Sequence, residues 1–154
     1  MTMTGERGLQ MTKMVSISTK RDSSRIAIAR GEIVLKQSTI MAIKGGSVEK
    51  GDVLTTAEVA GIMALKRTHE TIPLCHQIQI TGAEIKFSSL KDRISAECKV
   101  EAHYRTGVEM EALVGVTTAL LTVWDMVKYL EKDRTGNYPT TKIMGIAVVE
   151  KRKA

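Results

Sequence analysis

The chain predicts an α+β domain of ferredoxin-like (split βαβ) plan, an antiparallel sheet with helices packed on one face. Three observations carry this. Several short segments alternate apolar and polar residues, one long late segment keeps a helical apolar period, and the elements run strand, helices, strand, strand, helix, strand. At 154 residues, with 43% hydrophobic and 26% charged side chains, the chain is long enough to bury a core within one domain.

Residues 1–21 are polar, rich in Thr, Ser and Lys and without sustained periodicity, which predicts a flexible N-terminal arm ahead of a single domain over 22–154. From Arg25, Ile26 and Ile28 alternate with Ala27 and Ala29 and lead to Ile33 and Leu35, a strand pattern. Gln37 to Lys44 reads as a short helix closed by Gly45-Gly46. Thr55-Thr56-Ala57-Glu58 has the form of a capping box, so a second helix is expected from Thr56 to Glu70, stopped before Pro73.

Ile78, Ile80, Ile85 and Phe87, then Ile94, Ala96, Cys98, Val100 and Ala102, alternate around the turn Ser88 to Asp92 and predict a hairpin. Gly82 interrupts its first strand and marks a candidate bulge. Glu109 to Lys132 is the longest helical pattern, with Leu113, Val116, Leu120, Val123, Val127 and Leu130 on one broad face. Thr141 to Glu150 returns as the last strand.

Apolar runs such as Ile143 to Val149 are short for a membrane span, and residues 1–13 lack the apolar core of a signal peptide, which predicts a cytoplasmic protein with no membrane partner. Cys75 and Cys98 have no Cys-x-x-Cys spacing and are expected to be reduced thiols. The net charge of +6, from 23 basic and 17 acidic residues, favours an anionic ligand. With one Phe, one Trp and three Tyr, the chain has little to build stacking platforms for single-stranded nucleic acid, so a small phosphorylated ligand is favoured.

The segment Ile72-Pro73-Leu74-Cys75-His76 ends a helix and presents a thiol beside an imidazole. His76 reads either as a polar loop residue or as a phosphate ligand or proton donor, and Cys75 as a small buried hydrophobe or a nucleophile. On the long helix, Glu111, Gly115, Thr118, Thr122 and Asp125 recur at three- and four-residue steps and form a small, polar stripe, either a solvated face or one wall of a site. Lys128 stands one turn after Asp125, as a surface ion pair or as an acid–base pair. Glu109 and Glu111 flank Met110 in the first turn, where the helix dipole favours carboxylates; the pair also suits a guanidine-like edge such as that of guanine or a pterin. Lys50, Lys66, Arg67 and Lys151 are cations, most of them at element ends. No pair among Cys75, His76, His69 and His103 has ligand spacing on one helix face, so no metal site is predicted.

Taken as a series, Lys50-Gly51-Asp52, Val59-Ala60-Gly61-Ile62, Lys66-Arg67-Thr68, Ile72 to His76, Gly107 to Leu113 and Asp125-Met126-Val127-Lys128 resemble the cyclic pyranopterin monophosphate synthases, often called molybdenum cofactor biosynthesis protein C. The resemblance runs from about Arg25 to Lys151, in order and with matching intervals. It implies rearrangement of 3′,8-cyclo-7,8-dihydro-GTP to cyclic pyranopterin monophosphate with loss of pyrophosphate. In that comparison Asp125 matches the active-site aspartate, Lys128 its partner lysine and Lys50 a second catalytic lysine. Leu74, Cys75 and His76 match one substrate loop and Met110 and Glu111 the other; Arg25 matches the strand arginine that reaches phosphates, and Lys151 a functional lysine. Lys66 and Glu109 join the set as a phosphate contact and a substrate carboxylate.

The resemblance also implies a homo-hexamer, a trimer of dimers, with each active site shared by two subunits. It requires no resident cofactor and leaves magnesium open as a companion of the triphosphate. Gln77 stands where the family usually has proline, and Asn137-Tyr138-Pro139 lengthens the connection to the last strand. The competing reading is a nucleotide- or RNA-binding module of the same fold without turnover. Glu109, Glu111 and Asp125 weigh against a polyanion groove.

Overall fold

A computed structural model describes residues 11–154. The first ten residues of the expected arm lie outside the described residues, and 11–21 form neither helix nor strand. The elements that follow are β1 (Ser23–Val34), α1 (Gln37–Gly45), α2 (Val53–Leu65), α3 (Thr68–Thr71), β2 (Gly82–Ser89), β3 (Arg93–Tyr104), α4 (Glu109–Glu131) and β4 (Lys142–Lys153). The sheet order is β2-β3-β1-β4 with every neighbouring pair antiparallel, which is the α+β, ferredoxin-like topology expected from the element order.

Strand β1 puts small residues inward. Ala27, Ala29 and Ile33 are buried beneath the helices, while Ile26 and Ile28 are half-buried on the opposite face. Gly31 lies in the inward series, and a Cβ there would stand 2.9 Å from Leu120 Cδ1 and closer still to Ile146 Cδ1, so the missing side chain makes room for two others. Helix α4 covers β1 and β3 with Val116, Ala119, Leu120, Val123 and Val127, all buried. Burying each of the larger ones is worth roughly 1.5–3 kcal/mol before entropy is counted.

Helix α2 packs on α4 through two glycines. A Cβ on Gly61 would come within 2.8 Å of the Gly115 carbonyl oxygen, and one on Gly115 within 2.7 Å of Cys98 Sγ. The polar stripe expected on α4 is therefore divided: Glu111 and Gly115 are buried, Thr118 and Thr122 half-buried, and only Asp125 reaches open solvent.

Three boundaries differ from the sequence reading, two of them on α2. Asp52, rather than the Thr55–Glu58 box, caps α2: its Oδ1 accepts the Thr55 N–H at 3.1 Å and its Oδ2 accepts Thr55 Oγ1 at 2.9 Å. An aspartate cap satisfies free backbone donors at the helix start as well as a threonine does, so the helix begins three residues before Thr56. The same helix ends at Leu65 instead of Glu70, where buried Thr68 turns its hydroxyl back to the Leu65 carbonyl at 2.9 Å and starts the separate turn α3.

The first hairpin strand starts at Gly82, so the alternation at Ile78 and Ile80 lies in a loop packed on the core rather than in a ladder. Helix α4, rather than Ile143 to Val149, is the most apolar long segment. Among the described residues it alone is long and apolar enough to cross a membrane by composition, and half of its apolar window is buried against the protein.

At the C-terminal end of α4, Glu131 is fully buried. Its carboxylate accepts the Lys36 backbone N–H at 3.2 and 3.3 Å, Thr141 Oγ1 at 2.8 Å and the Thr39 hydroxyl, tying the end of α4 to the start of α1 and to the residue that precedes β4. A buried carboxylate is tolerated only with such partners.

Strand β4 is an edge. Its pairing with β1 shifts register twice, and Gly145, at φ +67, lies within the second irregularity. Met144, Ile146, Val148 and Val149 on it are exposed.

Candidate active site

The candidate residues gather at the two ends of α4. Near its C-terminal end, the loop between α1 and α2 carries Lys50 to Asp125. Lys50 Nζ lies 2.9 Å from Asp125 Oδ2 and 3.3 Å from the Asp125 carbonyl oxygen, while Lys128 Nζ lies 2.9 Å from Oδ1. One carboxylate thus holds two ammonium groups, one on each oxygen. Gly51 makes the loop geometry available: its φ of +108 lies in a region that L side chains rarely adopt.

The bonds from Lys128 first, then Lys50, hold the Asp125 carboxyl down at about 2. The same bond to Asp125 raises Lys128 above the ordinary lysine value. At that lowered value Asp125 is ionised and holds both ammonium groups. All three side chains are roughly half exposed, so the group faces solvent on this chain.

At the N-terminal end of α4, Leu74, Cys75, His76, Glu109, Met110 and Glu111 line one cavity of about 170 Å³, joined by Ile78, Thr106 and Gly107. The Ile72–Cys75 turn, closed by Cys75 N–H to the Ile72 carbonyl at 3.1 Å, presents the first wall. The start of α4 presents the second. Sheet topology brings two cations to this end, because β1 begins here and β4 finishes here, with Ala27 opposite Lys151.

Lys151 Nζ lies 2.7 Å from Glu109 Oε1, an ion pair at the buried oxygen of that carboxylate. Buried Arg25 donates to the Tyr104 and Arg105 carbonyls at 3.4 Å each.

The two carboxylates of this cavity differ. Burial pushes Glu109 upward, but Lys151, the backbone N–H of Glu109 and the Arg25 charge outweigh it, and Glu109 stays below the usual carboxylate range. Burial raises Glu111, with the negative charge of Glu109 adding to it. Cys75 is raised too, by burial and then by Glu111, a direction that disfavours the thiolate. Cys98 is buried under α4 and pushed up to about 12 by that burial.

Lys66 falls outside this cavity. It lines the adjoining one of about 530 Å³ with Gln77, Gln79, Ile80 and Tyr104, and Ile78 is common to both. Sequence reasoning did not assign a role to Gly107, Thr106 or Tyr129. Gly107 has a clear requirement, since the Glu109 carboxylate folds over it and a Cβ would place its carbon 2.7 Å from the Glu109 carboxyl carbon. Among the described residues, no three His, Cys, Asp or Glu side chains converge as metal ligands.

The two clusters do not meet within one chain. Glu111 and Asp125 are fourteen positions apart on one helix, about 21 Å at 1.5 Å per residue. The lysine group sets two cations around one carboxylate; the recess is lined by carboxylates with cations at its edge.

Fold and clusters together define an α+β protein of ferredoxin-like topology that sets carboxylates beside cations at both ends of its long helix. The family model described as MoaC family matches residues 14–154, and the chain belongs to that family, the one its motifs resemble. A protein of Thermococcus onnurineus (strain NA1) named "Probable cyclic pyranopterin monophosphate synthase" is 54% identical over 153 residues, covering 99% of this chain and 96% of the relative. One of Pyrococcus horikoshii with the same name is 54% identical over 99% of this chain and 94% of its own length. One of Methanosarcina mazei, also so named, is 56% identical over 92% and 90%.

Proposed function

We propose that this protein is a cyclic pyranopterin monophosphate synthase, acting in molybdenum cofactor biosynthesis on 3′,8-cyclo-7,8-dihydro-GTP and releasing pyrophosphate. Family membership and the shared name of the relatives support the activity. The observation that carries the chemistry is Asp125 held between Lys50 and Lys128 at 2.9 Å each. Ring opening and reclosure of the purine-derived system need proton donors and acceptors in contact with nitrogen and oxygen atoms. Two lysines poised on one carboxylate supply such groups, and substrate phosphate can draw a lysine away from Asp125. Forming the cyclic phosphate joins a substrate hydroxyl to the innermost phosphorus and expels pyrophosphate; Arg25, Lys66, Lys151 and His76 are the candidates to bear the phosphate charge.

The active site is shared between subunits of a homo-hexamer. About 21 Å along α4 is too far for one small substrate to use both clusters of a single chain. The recess at Glu109–Glu111, about 170 Å³, is below the 300–1,000 Å³ usual for ligand pockets. A second subunit placing its Lys50–Asp125–Lys128 group over that recess supplies the missing wall. The exposed apolar residues of edge strand β4 suit burial between subunits. In this reading Glu109, Met110 and Glu111 hold the guanine-derived edge, Leu74 and Cys75 shape the recess, magnesium enters only with the triphosphate, and the protein works in the cytoplasm.

The test is incubation of the purified protein with cyclic dihydro-GTP, with pyrophosphate and a pterin product as readouts. Both should appear together. Binding without either product, weakening steeply with salt, would instead identify a nucleotide- or RNA-binding module.

A further inference from the structure

The loop that delivers Lys50 is held at two adjacent residues, and only one hold involves a group already assigned to the chemistry. Lys50 itself reaches Asp125. One residue earlier, the Glu49 backbone N–H donates to Tyr129 Oη at 2.8 Å. Asp125, Lys128 and Tyr129 stand at i, i+3 and i+4 on α4 and so share one face of the helix. The tyrosine grips the loop from the same surface that carries the carboxylate.

The rest of the loop is arranged around that grip. Val48 is buried, Gly51 N–H closes a turn on the Val48 carbonyl at 3.0 Å, and Asp52 caps α2. Lys50 is the side chain this short arch lifts toward α4. Without the anchor at Glu49, no backbone hydrogen bond would tie this arch to α4, and the Lys50 ammonium would be held there by its ion pair alone. That pair is roughly half exposed, and its lysine has a long flexible stem.

We propose that Tyr129 is a positioning residue for Lys50, its hydroxyl fixing the Glu49–Lys50 backbone so that the ammonium stays at reacting distance when substrate displaces it from Asp125. The inference rests on the catalytic reading of Lys50 given above. The hydroxyl is the acting group; the ring serves as its spacer from α4.

Tyr129→Phe keeps the ring and removes the acceptor, and the site is exposed enough for the variant to fold. Three measurements decide the matter. Hydrogen exchange at the Glu49 amide and the Lys50 side-chain ammonium signal in nitrogen NMR are read on the intact, substrate-free protein. Turnover is read as separate kcat and KM values. The expected result is a Glu49 amide that exchanges faster, a Lys50 signal that broadens while that of Lys128 persists, and kcat lower by about tenfold with KM nearly unchanged. Full kcat despite a loosened Lys50 overturns the proposal, as does a lost kcat with Lys50 unaltered, and so does no change in either. The NMR readouts need no substrate, so failure of the synthase reading shows separately, as wild-type protein that makes no product.

Discussion

The two ends of α4 solve opposite problems. At the N-terminal end, the chain buries two carboxylates against a sheet end and a turn, and the environment sets them apart: Glu109 is held ionised by Lys151, Glu111 is pushed toward its neutral form. At the C-terminal end, the carboxylate of Asp125 is exposed and its two lysines, not burial, set its charge. Recognition of a ligand edge would gain from the first arrangement, because partial burial strengthens each hydrogen bond. Proton transfer gains from the second, because exposed lysines can change partners without stranding a charge. One helix holds both kinds of carboxylate because its ends are far enough apart to have different surroundings.

The largest expected effect comes from removing one arm of the exposed group. Lys128→Ala should lower product formation by at least about a thousandfold, in the range of a lost acid–base group, and leave the melting temperature nearly unchanged. The Asp125 carboxyl, followed by carbon NMR, should then titrate above its starting value of about 2. A fully active Lys128→Ala protein would remove the contrast between the two ends.

Next is the sharing of sites between subunits. Lys128→Ala and Glu111→Ala should each be inactive alone, yet subunits of the two variants refolded together in equal amounts should recover about a quarter of wild-type turnover. Half the dimers are then mixed, and each mixed dimer rebuilds one of its two sites. No recovery would mean that each chain uses its own residues.

A smaller loss, about tenfold and mainly in KM, is expected for Gly107→Ala, which forces the Glu109 carboxylate off its seat. A steady-state series at constant pH separates this from an effect on kcat.

The smallest effect concerns stability. A carboxyl whose folded value is raised binds its proton more tightly in the fold than in the unfolded chain. Between the ordinary glutamate value and the raised one, stability therefore falls as pH rises, and the loss persists above that window. Glu111→Gln removes the ionisation, so it should melt a few degrees above the parent at neutral pH, and the difference should close toward pH 4. A constant difference across that range would show that burial of Glu111 carries no linkage to folding.

Element order and type were legible because they rest on periodicity. The β1 alternation, the hairpin turn near Ser89 and the long apolar face of α4 each repeat over enough residues to be read directly. The boundaries that moved, at Asp52, Leu65 and Gly82, were set by single groups: a cap, a buried hydroxyl and the point where the ladder begins. Local pattern does not rank such competing choices. Of the candidate site, Asp125 and Lys128 were legible as a helical i,i+3 pair, and Glu109 and Glu111 as first-turn carboxylates. The arrival of Lys50 at Asp125 was not, since no period links a loop to a helix 75 positions away. Tyr129 lay within reach of the same helical spacing that picked out Lys128, and Gly107 within a quoted motif, but neither carries charge that would draw notice.

The sequence by itself determined the ferredoxin-like plan, the apolar face of the long helix and the family, because these depend on spacing and residue type along the chain. Only the tertiary structure decided that Lys50 and Lys128 share one carboxylate, that Glu131 ties the end of α4 to the start of α1 and the approach to β4 from a buried position, and that the N-terminal recess and the lysine group lie at opposite ends of one helix. Those facts follow from distances between segments remote in sequence, and burial and charge act through such distances.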